Sequence, residues 1–345
     1  MSNRDIAFLL QHQRTEHGIL LFLRRQSALP ARDCQPDRPA ALSAERRHGM
    51  TQEHIGFIGA GLMGHGMAKN IVEKGYPLTV TAHRNRAPVD DLIGRGATEA
   101  TIEDLAARST IIFLTLPGSP QVAEAVARMT PHLKPGAVIV DCSTSDPTVT
   151  ERLATDLGQR GVHFADAPLS RTPKEAWAGT LDCMVGADPD IFARIQPVIA
   201  TWAGKIVHIG RVGDGHRMKL LNNFLSLGYA AIYAEALALA AKVGISTATF
   251  DSVIRGGRMD CGFYQTFMGY ALEGNREAHR FTLSNAYKDL RYLESMANAA
   301  TVATTMASAA KNSFAAAMAQ GGSGPEDYVP HLVDFVGRAN GVKPD

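Results

Sequence analysis

The stretch Ile55-Gly56-Phe57-Ile58-Gly59-Ala60-Gly61-Leu62-Met63-Gly64 decides the fold. Ile55 to Ile58 read as a buried strand, and a GxGxxG loop follows it and opens a helix from about Met63 to Lys74. In that context each glycine has a job. Gly59 permits the tight turn, Gly61 lets the backbone approach a pyrophosphate, and Gly64 allows close helix packing. The helix start, at Leu62 and Met63, turns its free amides and positive dipole end towards the phosphate charge.

Outward from this stretch the pattern alternates. Strands are predicted at Leu78 to Thr81, Ile111 to Thr115, Ala137 to Val140, Val162 to Ala165, Leu181 to Val185 and Ile206 to Ile209. Helices are predicted at Ile102 to Ala107, Gln121 to Met129 and Pro147 to Leu157, the last started by a capping Asp146 and a first-turn proline. Short apolar strands alternating with helices imply an α/β fold, a Rossmann-type doubly wound parallel sheet. After Gly213 the strands stop. Residues 214–243 read as one long helix, followed by helices at about Thr247 to Arg255, Ser284 to Ala299, Val302 to Met318 and Pro325 to Arg338. The expected organisation is therefore a poorly ordered extension over residues 1–49, a nucleotide-binding domain over 50–212 and an all-α C-terminal domain over 213–345. The extension carries eight arginines and no lysine, and its acids Asp5, Glu16, Asp33 and Asp37 argue against a transit peptide.

Bulk composition narrows the function. The net charge of +1 calls for neither nucleic acid nor a membrane surface. The apolar run near Ala230 to Ala241 is interrupted by Glu235 and rich in alanine, which argues against a membrane span. Cys34, Cys142, Cys183 and Cys261 form no CxxC pair, so a reducing cytoplasm is expected, with no metal cluster.

Two constellations carry chemistry. The end of the second strand reads Thr81-Ala82-His83-Arg84-Asn85-Arg86, with no acid until Asp90. NAD sites place an acid there for the ribose 2′-hydroxyl, whereas arginine suits a 2′-phosphate, so NADP is favoured over NAD. The second constellation is Lys219 with Asn222 and Asn223, three and four residues on, which places an amine and an amide on one helix face. Such an amine can trade a proton with a substrate oxygen. Nearby residues invite plainer readings: His65 as a solvated helix residue, Asp214 as the cap of the long helix, Trp177 and Trp202 as packing, and Cys142 as a buried filler. His216, one helical turn before Lys219, is expected not to touch substrate.

These motifs, in order, resemble the β-hydroxyacid dehydrogenase family from Ile55 to about Val342. The resemblance rests on Gly59 through Met67-Ala68-Lys69-Asn70, on Asp166-Ala167-Pro168-Leu169-Ser170, on Gly213 to Asn223, and on Phe281-Thr282-Leu283 leading to Lys288-Asp289-Leu290. It implies that Lys219 is the catalytic lysine and Asn223 its substrate-orienting partner, with Asn222 in support. It implies that Ser170 bonds the substrate's acid group, that Ser143 and Thr144 sit near the nicotinamide with Thr144 also reaching the substrate, that Leu116 and Pro117 line the adenosine side, and that Lys288 closes the cleft and, with Asp289, contacts the cofactor. Family members usually read Ser-Gly-Gly where this chain reads Ser170-Arg171-Thr172. That variant resembles the sulfolactaldehyde reductase and succinic semialdehyde reductase branch, and implies that Arg171 grips a strong anion on a small aldehyde, 3-sulfolactaldehyde first, with Thr172 beside it in the substrate site. The resemblance also implies a homodimer or homotetramer. An imine reductase and a non-catalytic nucleotide-binding module are the alternatives on the same scaffold; both typically lose the lysine, so Lys219 argues against them.

Overall fold

The computed structural model describes residues 53–322 and 327–342; the expected N-terminal extension and Pro325 lie outside them. The chain runs β1 (Ile55–Ile58), α1 (Gly64–Glu73), β2 (Leu78–Val80), α2 (Ala87–Gly94), β3 (Thr98–Glu99), α3 (Ile102–Arg108), β4 (Ile111–Leu114), α4 (Ser119–Met129) and β5 (Val138–Asp141). It continues α5 (Pro147–Gly158), β6 (His163–Asp166), β7 (Leu169–Ser170), α6 (Pro173–Ala178), β8 (Leu181–Gly186), α7 (Pro189–Ile199) and β9 (Ala203–Gly210).

The sheet order is β3-β2-β1-β4-β5-β6-β8-β7, with β9 paired to β8. The first six strands are parallel, and their order across the sheet reverses at β1, which is the doubly wound arrangement expected. The sheet is not parallel throughout: β8 runs antiparallel to β6 and β7 and parallel to β9. The central strands alternate their apolar side chains between two covered faces. Ile55, Phe57, Ile111, Phe113, Val138 and Val140 join one core cluster, and Ile58, Ile112, Leu114 and Ile139 the other. A period of two with both faces buried is why these strands read as continuous apolar runs.

The helical part begins with α8 (Asp214–Lys242), then α9 (Thr247–Ile254), α10 (Gly262–Ala271), α11 (Leu283–Ala299), α12 (Thr305–Gln320) and α13 (Leu332–Ala339). By length and composition α8 is apolar enough to cross a membrane. Here it packs against β8 on one side and α11, α12 and α13 on the other. Leu220, Leu227, Ala230, Ala234 and Leu237 enter a core shared with Tyr264, Phe267, Leu290 and Phe314. Four helices lie where apolar spacing predicts none. α2 buries only Val89 and Leu92, α6 is six residues long, α7 carries Pro197 in its interior, and α10 opens on a glycine. The helix expected from Val302 starts three residues later, because Thr301 takes a positive φ of 56° and Thr304 becomes the cap.

Candidate active site

The glycine loop is built for close approach by a ligand. Gly59 has φ 102°, and a Cβ there would fall 2.2 Å from the Thr115 carbonyl oxygen. A Cβ on Gly61 would meet nothing within 4 Å, so the backbone is open on that side. The amides of Leu62 and Met63 make no hydrogen bond within the described residues, and no side chain caps α1. Exposed Gly61 and Leu62, orphan amides and the helix end together fit a pyrophosphate.

The adenosine side departs from expectation. Arg86 is spent on a fork to Glu99 (2.8 and 3.0 Å) and on Asp90 (3.1 Å), which raises its pKa. The Asn85 carboxamide oxygen accepts from the Ala87 amide at 3.1 Å and so shapes the start of α2. His83 and Arg84 stay exposed, and Arg84 has no ion-pair partner among the described residues. Of the two arginines assigned to a 2′-phosphate, only Arg84 is uncommitted. Arg86 was out of reach of sequence reasoning because its partner Glu99 lies on another strand.

Lys219 sits on the second turn of α8. It is half-buried, and its amine lies within electrostatic reach of Asp289 and Lys288. Desolvation pulls its pKa down to about 8, with Asp289 opposing and the charge of Lys288 adding. Asp289 is fully buried, and its Oδ2 accepts from Asn223 Nδ2 at 2.7 Å. Asp289 therefore belongs to the lysine centre and not to the cofactor side, where the sequence placed it. Asn222 is exposed and 3.5 Å from the Asn223 carboxamide oxygen, a supporting position. Lys288 crosses from α11 to the nucleotide side. It donates to the Pro117 carbonyl at 2.6 Å and the Thr144 carbonyl at 3.3 Å, and lies 3.3 Å from Asp289 Oδ1. Leu116 joins the same wall, its amide donating to Ser143 Oγ at 2.9 Å.

The substrate segment divides into three fates. The Ser170 hydroxyl is buried with no partner among the described residues, as a group reserved for a ligand would be. Thr172 is a helix cap: its hydroxyl accepts from the Lys174 amide and bonds Glu175, completing a capping box, so it is not free for substrate. Arg171 has φ 87°, a left-handed conformation that favours glycine. Its guanidinium is half-exposed and paired with Asp182 at 3.0 Å. An anionic substrate would have to share that arginine or displace the aspartate.

Two residues near the centre escaped the sequence reading. His279 is partly buried, edge-on to Phe263 (5.6 Å) and Phe281 (6.1 Å). Burial and then the charge of Lys219 lower its pKa to about 4. Tyr292 accepts from the Ser119 amide at 3.2 Å and lies beneath Lys288. Both lie 56 or more positions from the lysine motif in sequence, so no local spacing could have found them. Other residues were misread. His65 is bonded to Asp91 at 2.8 Å and edge-on to Trp177, so it is structural and not solvated. Asp214 does not cap α8; buried Asp166 does, accepting from the amides of Gly213 and His216, each at 2.6 Å. That cap needs Gly215, where a Cβ would fall 2.5 Å from the Met184 carbonyl oxygen. Trp202 is fully buried in the sheet core, and Cys142 is buried with its thiol pKa pushed up, an unreactive filler.

Comparison with known proteins identifies the family. A profile of the NAD-binding domain of 6-phosphogluconate dehydrogenase matches residues 54–210. A profile of the NAD-binding region of NADP-dependent 3-hydroxyisobutyrate dehydrogenase matches residues 213–330. The chain is 38% identical to 2-(hydroxymethyl)glutarate dehydrogenase of Eubacterium barkeri over 205 residues, 58% of this chain and 67% of that one. It is 28% identical to 3-sulfolactaldehyde reductase of Escherichia coli over 79% of this chain and 93% of that one. In fold it is similar to the 3-hydroxyisobutyrate dehydrogenase of Mycobacterium tuberculosis solved with L-serine, with a TM-score of 0.74 and 24% identity over 83% of this chain and 99% of that one. The chain therefore belongs to the β-hydroxyacid dehydrogenase family, NAD(P)-dependent enzymes acting on a CH–OH group.

Proposed function

We propose that this protein interconverts a small aldehyde bearing an acid group and its hydroxy acid, with Lys219 as the proton donor and acceptor. The observation that carries this reading is an amine with a pKa of about 8, held beside the Asp289–Asn223 pair. The nicotinamide, when bound, supplies the hydride that makes the carbonyl carbon tetrahedral. Lys219 gives a proton to the carbonyl oxygen as negative charge develops there, and is left neutral until solvent reprotonates it. Asp289 favours the ammonium form by its charge, and Asn223, fixed by Asp289, is set to hold the same oxygen. Ser170 offers its unpartnered hydroxyl to the substrate's acid group.

NADPH is the preferred donor in this reading, because Arg84 is an uncommitted cation where NAD sites carry an acid. The leading substrate is 3-sulfolactaldehyde. Arg171 is the supporting feature, since a sulfonate and a planar guanidinium match and the anion competes with Asp182 for it. Carboxylate aldehydes, namely tartronate semialdehyde, succinic semialdehyde and the oxidised form of 3-hydroxyisobutyrate, are the second reading, favoured by the existing Asp182 pair. The three free cysteines among the described residues fit a reducing cytoplasm. A second copy of this chain is the proposed partner. Leu225, Ile232 and Leu239 recur every seven residues on α8 and are 57%, 60% and 66% exposed, a stripe that association would cover.

The test is a panel of these aldehydes and hydroxy acids with NADPH and NADH. The highest kcat/KM is expected for 3-sulfolactaldehyde with NADPH, falling about tenfold or more, roughly 1.4 kcal/mol, in Arg171→Gly. An unchanged constant in that variant removes the sulfonate assignment. Absence of turnover on every acid aldehyde, despite NADPH binding, removes the reaction class.

A further inference from the structure

His216 is fully buried, and no substrate reaches it. Its surroundings are unusual for a core residue. Nε2 lies 3.1 Å from the Ser143 carbonyl oxygen, and Nδ1 lies 2.8 Å from Thr150 Oγ1. A carbonyl only accepts, so Nε2 carries a hydrogen and donates it. Asp141 and Asp166 flank the ring at 3.7 and 3.8 Å, and the His216 amide itself donates to Asp166. The imidazole thus touches the ends of β5 and β6, the segment between β5 and α5, and helix α5, while its own backbone belongs to α8.

What it holds matters for the reaction. Ser143 accepts from the Leu116 amide through Oγ, and its own amide donates to Asp141 Oδ1 at 2.9 Å. Its neighbour Thr144 accepts from Lys288. Lys219 stands three residues beyond His216, on the next turn of the same rigid helix. We propose that His216 is a positioning residue: through its bonds to the Ser143 carbonyl and the Thr150 hydroxyl, it fixes the helix carrying Lys219 against the Ser143–Thr144 wall of the nucleotide side. Beside the Asp166 cap, a side chain that touches neither the proton donor nor the nicotinamide face thus helps to set the relation between them. A displacement of about 1 Å between reacting groups costs on the order of a hundredfold in rate, which is why a pin at this place is felt in turnover more than in binding.

The inference rests on Lys219 being the proton donor, so Lys219→Met is measured beside the His216 variants. In the full-length protein, His216→Ala is expected to lower kcat about 10- to 100-fold. The NADPH dissociation constant, read by quenching of tryptophan fluorescence, should stay within about twofold, because the glycine loop is untouched. His216→Gln keeps a donor for Ser143 and an acceptor for Thr150, and should restore kcat to within about fivefold of the parent. Thr150→Val removes one of the two bonds and should fall between, at about three- to tenfold. A kcat within about twofold of the parent in His216→Ala, or a Gln variant as damaged as the Ala variant, overturns the proposal. Should His216→Ala not fold, the Gln and Val variants decide: normal turnover in Thr150→Val or a crippled Gln variant overturns it. Near-normal turnover in Lys219→Met removes the catalytic assignment itself; an inactive Lys219→Met beside an unimpaired His216→Ala removes only the positioning role.

Discussion

The centre around Lys219 and the rim of arginines at Arg84, Arg86 and Arg171 are both made of cations waiting for anions, yet they are prepared in opposite ways. At the centre the cation is desolvated, its pKa is drawn to about 8, and its carboxylate neighbour is buried and oriented by Asn223. At the rim the cations are exposed, and two of the three are paired with carboxylates of the protein itself, Arg86 with Glu99 and Arg171 with Asp182. Burial makes the central interactions strong and expensive to disturb, whereas exposed pairs are worth ~0–1 kcal/mol and exchange readily. In the proposed reading, reaction class is therefore set where the structure is rigid, and substrate and cofactor preference where it is exchangeable.

That contrast orders the expected effects. Lys219→Met should cost about 10²–10⁴ in kcat and leave NADPH affinity nearly unchanged, since general acid–base catalysis supplies a factor of that size; steady-state rates and a binding titration check both halves. Arg84→Ala should raise the Michaelis constant for NADPH about tenfold and leave that for NADH unchanged, the loss of one exposed phosphate contact. Asp182→Asn should lower the Michaelis constant of an anionic aldehyde about threefold by releasing Arg171, a change on the scale of one exposed ion pair. Arg86→Ala should move either cofactor constant by less than about twofold. If Arg86→Ala proves the more damaging of the two arginine changes, the exchangeable rim has been assigned to the wrong side chain.

The contrast also explains what the sequence revealed. The glycine loop, the parallel strands and the lysine motif were legible because each is a short-range pattern: a backbone requirement at Gly59, a period of two from Ile55 to Ile58, a helical spacing from Lys219 to Asn223. The partners were not. Asp289 turns from cofactor neighbour to the lysine's own carboxylate only when α11 is folded against α8. Arg86, Arg171 and Thr172 are engaged by Glu99, Asp182 and Glu175, and only the Thr172–Glu175 pair is close in sequence, hidden inside a capping box. Asp166 takes the cap expected of Asp214 because the glycines before Lys219 let α8 approach β6 and β8 closely.

The most direct measurement is the pH dependence of kcat/KM in both directions for the best substrate of the panel. In the proposed mechanism Lys219 acts as an ammonium in reduction and as a free amine in oxidation. With its pKa at about 8, reduction should fall as pH rises through about 8, and oxidation should rise through the same value. His279, drawn down to about 4, stays neutral across that range and adds no limb of its own. Opposite limbs meeting near pH 8 support Lys219 as the proton donor; a reduction rate that is flat or rises between about pH 7 and 9 contradicts it.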